Sequence, residues 1–125
     1  MKGLLDRISA CTACRLEHGC RPVVQADPEA RVVIVGQAPG SKVHASGVPW
    51  QDESGKRLRD CLGLDAATFY GPRVALIPMG FCYPGKGEGG DLPPRRECAP
   101  LWHAALLAAM PRLSLRVLAG QYAQA

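Results

Sequence analysis

Apolar positions in this chain fall into short runs divided by glycine and proline, and the spacing within the runs changes along the sequence. Leu4, Leu5 and Ile8 recur at helical spacing and predict a short helix over residues 1–10. Residues 31–35, Arg-Val-Val-Ile-Val, are a β-branched run stopped by Gly36, which reads as a buried strand. A second buried strand is predicted over Val74 to Pro78, and a third over Leu115 to Ala119, stopped by Gly120. Lys56 to Leu62 reads as a helix with Leu58 and Leu62 inward and Lys56, Arg57, Arg59 and Asp60 outward. Glu97 to Met110 is an Ala/Leu-rich helix that Pro111 breaks, because proline cannot donate to the helical ladder. Residues 36–55 read as a loop carrying Pro39, Gly40, Gly47 and Pro49, and 83–94 as too rich in glycine and proline for any regular element. Strands alternating with helices point to a parallel α/β sheet with right-handed crossovers, and neither a repeat nor a linker divides residues 1–125. One domain is expected.

Composition narrows the class. With 47% hydrophobic and 21% charged residues, the 125-residue chain has the make-up of a soluble globular protein. Fourteen glycines and eleven prolines imply that much of the chemistry sits on loops. A net charge of +4 permits a polyanionic partner without requiring one. No stretch approaches the roughly 18 apolar residues of a membrane span, and the N-terminus lacks the apolar run of a signal peptide. A cytoplasmic, reducing setting is the expectation.

In that setting six cysteines read as metal ligands or thiols rather than disulfides. Cys11-Thr-Ala-Cys14 has the spacing that turns two sulfurs onto one centre, and Cys82 and Cys98 can complete it from far downstream. Cys20 is close enough to compete as a ligand. Cys61, in the helix after Arg59, is expected to pack as a small hydrophobe.

Parallel α/β sheets bind ligands beyond the carboxyl ends of their strands. That edge is lined here by Gly36-Gln37-Ala38-Pro39-Gly40, by Met79-Gly80-Phe81-Cys82 and by Gly120-Gln121. Glycine at a strand exit lets a ligand approach the backbone, although it serves a tight turn equally well.

Gly36-Gln-Ala-Pro-Gly40, then Gly47-Val-Pro-Trp50, then Ser54-Gly55 with Leu58 resembles the first motif region of the uracil-DNA glycosylase superfamily, in its iron–sulfur (family 4-like) branch. Two cysteines before the first strand, then two more around a proline-rich stretch, are similar to that branch's layout, and Gly120-Gln-Tyr-Ala123 to its later glycine turn. The resemblance implies a parallel-sheet three-layer α/β sandwich, C-terminally incomplete because the chain ends before the family's His-Pro-Ser stretch. It implies Cys11, Cys14, Cys82 and Cys98 as ligands of a 4Fe-4S cluster, with zinc or no metal as alternatives. It places the base pocket at Gly36, Gln37, Pro39, Gly40, Trp50, Met79 and Gly80, with Trp50 stacking on an extruded base.

The catalytic positions fall on Gln37, Ala38 and His44. Gln37 stands where the family has an acid, Ala38 where related enzymes place a water-activating Asp, and His44 where this branch has an acidic residue, so that an imidazole could carry the proton. The family's base-reading Asn aligns with Pro78, which offers neither carboxamide nor N–H. The implied partner is DNA containing a damaged base, met by a monomer through Lys42, Lys56, Arg57, Arg95 and Arg96; Arg59 and Lys86 are further candidates. Two functions follow: a DNA-repair glycosylase acting on uracil or another deaminated base, or a non-catalytic metal-binding module that binds DNA or a nucleotide without cleaving it.

Overall fold

A computed structural model describes residues 1–11, 19–87, 90–94 and 98–124, with the backbone alone at 86–87, 90–91, 98 and 121–122. Its centre is a parallel sheet of β1 (Val32–Gly36), β2 (Val74–Pro78) and a later strand at Leu115–Leu118, with β1 in the middle. The β-branched run is why β1 takes that place. It is buried nearly end to end, as a strand covered on both faces must be. Val32 pairs with Val74 on one side and Leu115 on the other, so all three strands end at one edge.

Helices cover both faces and make three layers. On one face α1 (Lys2–Ser9) buries Leu4 and Ile8, and a long helix at Cys98–Ala108 brings in Leu106; Met110 just beyond it packs with them against Val33, Val35, Ala75 and Ile77. The other face carries three helices: α2 (Ser41–Ser46), α3 (Glu53–Leu62) and α4 (Ala66–Phe69). There Phe69 is fully buried with Ile34, Val74 and Leu76, and Leu58 packs on them. The long helix is α5, and a last turn, α6, spans Gln121–Gln124. The parallel three-layer α/β sandwich implied by the resemblance is the observed architecture.

Several details differ from the expectation. The segment read as a loop from 36 to 55 contains α2, and Asp65 caps the extra turn of α4, accepting from Thr68 N–H at 2.8 Å. Residues 83–94 hold a small antiparallel hairpin, β3 (Lys86–Gly87) with β4 (Gly90–Asp91), and Leu92 N–H closes its base on Gly85 O at 2.8 Å. Glycine-rich sequence disfavours long strands yet suits so short a ladder. The Leu115–Leu118 strand is accordingly β5.

Leu62 does not point inward but is exposed. Helix α3 stops in the left-handed Gly63, and Leu64 N–H folds back onto Arg59 O at 3.1 Å, so Leu64 packs on the core where Leu62 was expected. Cys61, two residues before that stop, is exposed rather than packed.

Candidate functional site

A cavity of about 380 Å³ opens at the carboxyl edge of the sheet. Its walls are Gly36 to Gly40 after β1, Pro78 closing β2, Ala119 and Gly120 after β5, Val43 from α2, and Pro49, Trp50, Asp52 and Ser54 ahead of α3. Val23 and Leu76 complete the lining. Two backbone hydrogen bonds continue the β1–β2 ladder past the strands: Met79 N–H to Gly36 O at 2.8 Å and Gly80 N–H to Gln37 O at 2.9 Å. They fix the start of the Gln37–Gly40 segment before it meets the cavity.

Trp50 is the element the surrounding structure works hardest to place. It is the one non-glycine residue in the left-handed region among the described residues, at φ 59°. Such a conformation is costly for a bulky side chain and persists only where neighbours over-determine it. Those neighbours can be named. A Cβ on Gly36 would lie 2.7 Å from Trp50 Cζ2, so the indole rests directly on the backbone at the end of β1. A Cβ on Gly55 would lie 1.6 Å from Trp50 O, so only glycine lets the first turn of α3 pass beneath the tryptophan carbonyl.

Arg59 Nη1 reaches Trp50 O at 3.4 Å and Tyr70 OH at 3.3 Å, while Tyr70 OH donates to Pro49 O at 2.8 Å. The Arg59 guanidinium also lies 5.5 Å from the Phe69 ring centre and 5.8 Å from that of Tyr70. Arg59 is therefore no outward DNA charge, as its helical position had suggested; it is half-buried and holds the Pro49–Trp50 turn. Burial raises the Tyr70 phenol above its ordinary pKa, with the Arg59 charge working the other way. Asp52 caps α3, its carboxylate accepting from Gly55 N–H at 2.9 Å.

Of the expected pocket residues, Gly36, Gln37, Pro39, Gly40 and Trp50 line the cavity, as does Ala38. Met79 and Gly80 stand behind it: Gly80 is buried, and Met79 packs against the α1/α5 face. His44 lies on α2 with its ring tilted at 47° against Tyr83, centroids 5.7 Å apart, and is not among the lining residues. Lys42 on α2 and Lys56 and Arg57 on α3 are exposed. Arg95 and Arg96 lie outside the described residues, as does the Lys86 side chain.

A second, much smaller cavity of about 10 Å³ is lined by Cys11, Cys20 and Cys82 together with Ile8, Pro22, Phe81 and Trp102. It brings the first and third cysteines of the expected set to one place, with Cys20 beside them. Cys14 and the Cys98 side chain lie outside the described residues. Among those described, no group of three or more His, Cys, Asp or Glu side chains is arranged to hold a metal ion.

Sequence reasoning missed Arg21, Tyr70 and His103, which hold loops through backbone carbonyls; His103 Nε2 lies 2.8 Å from Pro78 O, at the cavity's edge. A carbonyl oxygen only accepts, so that nitrogen donates. Nothing in local sequence signals a side chain whose partner lies twenty or more residues away. Asp52 was detectable, because an Asp three residues before Gly55 at the head of a helical run is a capping signature.

The cavity lies at the carboxyl ends of the parallel strands, the edge at which three-layer α/β folds bind their ligands. The family model of the Uracil DNA glycosylase superfamily matches residues 23–125, and the chain belongs to that superfamily. No helix among the described residues is long and apolar enough to cross a membrane.

Proposed function

We propose that this protein is a DNA glycosylase of the iron–sulfur branch that draws a deaminated base, uracil first, out of DNA into the 380 Å³ cavity and cleaves its N-glycosidic bond. The observation that carries the reading is Trp50, held at φ 59° with its indole against Gly36 on the cavity wall. Strain of that kind is kept where a side chain must present one face, and a flat aromatic face is what an extruded base stacks upon.

In the proposed reaction the C1′–N bond breaks, the bonding electrons leave with the base, and water adds to C1′ while giving up a proton. The backbone N–H groups of the Gln37–Gly40 segment, Pro39 excepted, would serve as donors near the leaving base, where negative charge develops. The Gln37 carboxamide has both a donor and an acceptor with which to orient the base or the water. Ala38 supplies neither. His44 remains a candidate for carrying the proton from the neighbouring helix.

Cys11, Cys14, Cys82 and Cys98 would hold the metal centre, a 4Fe-4S cluster in preference to zinc; the meeting of Cys11 and Cys82 at one cavity supports the set. When bound, such a cluster would supply a structural tie between the N-terminus and the loop after β2. Broad visible absorption with a brown colour would identify iron, and a colourless metalloprotein zinc. Lys42, Lys56 and Arg57 together with Arg95 and Arg96 would meet the phosphates of a DNA partner, bound by a monomer in the cytoplasm.

Two observations favour the non-catalytic alternative. Asp52, the only carboxylate in the lining among the described residues, is committed to Gly55 N–H, and Pro78 presents no base-reading group. The full chain incubated with a uracil-containing oligonucleotide and then treated with alkali separates the two. Strand scission at the uracil is the expected result. Binding without scission would leave the alternative.

A further inference from the structure

We infer that Arg21 is a positioning residue for the base pocket, the rivet of a four-residue strap that joins the cysteine cavity to the pocket wall. Arg21 Nη1 donates to His44 O at 2.7 Å and to Ala45 O at 2.8 Å. Those carbonyls sit in the last turn of α2, where a helix has acceptors with no partner of its own and where a cation also suits the helix dipole. The guanidinium fills the space beside Gly47, at φ 74°, where a Cβ would lie 2.7 Å from Nη2.

Helix α2 has only six residues, too short to persist by itself. Yet it presents Val43 to the cavity, and Gly40 precedes it on the same wall. Holding its last turn therefore holds one side of the pocket.

Residues 20–23 turn successive side chains to different neighbours. Cys20 and Pro22 line the cysteine cavity, Arg21 takes α2, and Val23 lines the base cavity. Val23 N–H also donates to Phe81 O at 2.8 Å, next to Cys82. The strap is thus fastened to the thiol end on one side and to the pocket on the other. Both bonds come from the one terminal nitrogen, while the rest of the planar guanidinium fills the space beside Gly47, which a compact ammonium does not do.

This inference rests on the glycosylase reading for its catalytic consequence but not for its structural one, and the test keeps them apart. Amide hydrogen exchange is followed in wild type, Arg21→Met and Arg21→Lys, alongside KM and kcat on the uracil oligonucleotide. Arg21→Met is expected to speed exchange at the His44 and Gly47 amides about tenfold, with β1 and β2 still protected. KM should rise several-fold with a much smaller change in kcat. Arg21→Lys should fall between, and added guanidinium ion should restore part of the Arg21→Met loss. Wild-type exchange across 44–47 in Arg21→Met would overturn the inference. Were the wild type to cleave nothing, the glycosylase reading would fall while the exchange result still decided the role of Arg21. Global unfolding of Arg21→Met would be resolved by Arg21→Lys, which keeps the charge and removes the planar group beside Gly47.

Discussion

The strand-end cavity and the cysteine cavity are built on opposite plans. The larger, at the strand ends, is shaped by the absence of side chains: Gly36 and Gly55 let Trp50 and the α3 backbone come within distances no Cβ permits. Its wall is then held from behind, by Arg59 and Tyr70 on the Pro49–Trp50 turn and by Arg21 on α2. The smaller is closed by side chains meeting, with three sulfurs among Ile8, Phe81 and Trp102 and almost no space left. A pocket of the first kind can admit and release a flat ligand. On the proposed reading a site of the second kind would suit a group that stays. Strain and hydrogen-bonded loops mark the larger cavity, and tight apolar packing the smaller.

The comparison breaks most completely at Gly55. A Gly55→Ala side chain has no room beneath Trp50 O, and forcing it in should cost about 3 kcal/mol, read as a shift in the denaturant midpoint. The cysteine cavity shares no lining residue with this turn, so thiol accessibility there should follow global unfolding alone. Trp50→Ala acts on function instead. It should weaken binding of a uracil oligonucleotide by about tenfold or more, the worth of one base–aromatic stack, while stability changes less.

Arg59→Met removes the hydrogen bonds to Trp50 O and Tyr70 OH and should cost about 1–2 kcal/mol by thermal unfolding. Asp52→Ala uncaps α3 for about 1 kcal/mol, and Asp52→Asn should recover most of it because the amide oxygen still accepts from Gly55 N–H.

The smallest effect sharpens the comparison from outside both cavities. Hydrogen bonds from the Thr68 backbone and hydroxyl hold the Asp65 carboxyl below its ordinary value of 3.8. The folded state therefore binds that proton less readily than the unfolded chain. Its contribution is full above about pH 4 and is lost as pH falls through the depressed value. The stability gap between wild type and Asp65→Asn should close over that acid range, with neither cavity affected.

Much of this was legible in the chain. The runs Val32–Val35 and Val74–Pro78 announced buried parallel strands because β-branched residues without polar alternation suit a sheet covered on both faces. The glycine-rich exits and Trp50 announced the cavity. The short helices α2 and α4 stayed hidden because four to six residues do not complete a periodic pattern. The inward Leu62 and packed Cys61 failed for another reason: period alone ignores where a helix stops, and the left-handed Gly63 passed the buried position to Leu64. The roles of Arg21 and Arg59 were illegible in principle. As charges on a predicted surface they look like any solvated arginine, and only the tertiary fold supplies the carbonyls they hold.

The central claim is that the strand-end cavity, and no other part of the surface, receives the base. Backbone amide shifts of the 125-residue protein on titration with a short deoxyuridine-containing oligonucleotide test it directly. The account predicts the largest changes at Gly36, Gln37, Ala38 and Gly40, at Trp50 and at Gly120, with small ones at Ile8 and Trp102. Shifts centred on the cysteine cavity, or on the opposite edge around Arg31 and Arg73 with Trp50 unmoved, would contradict it.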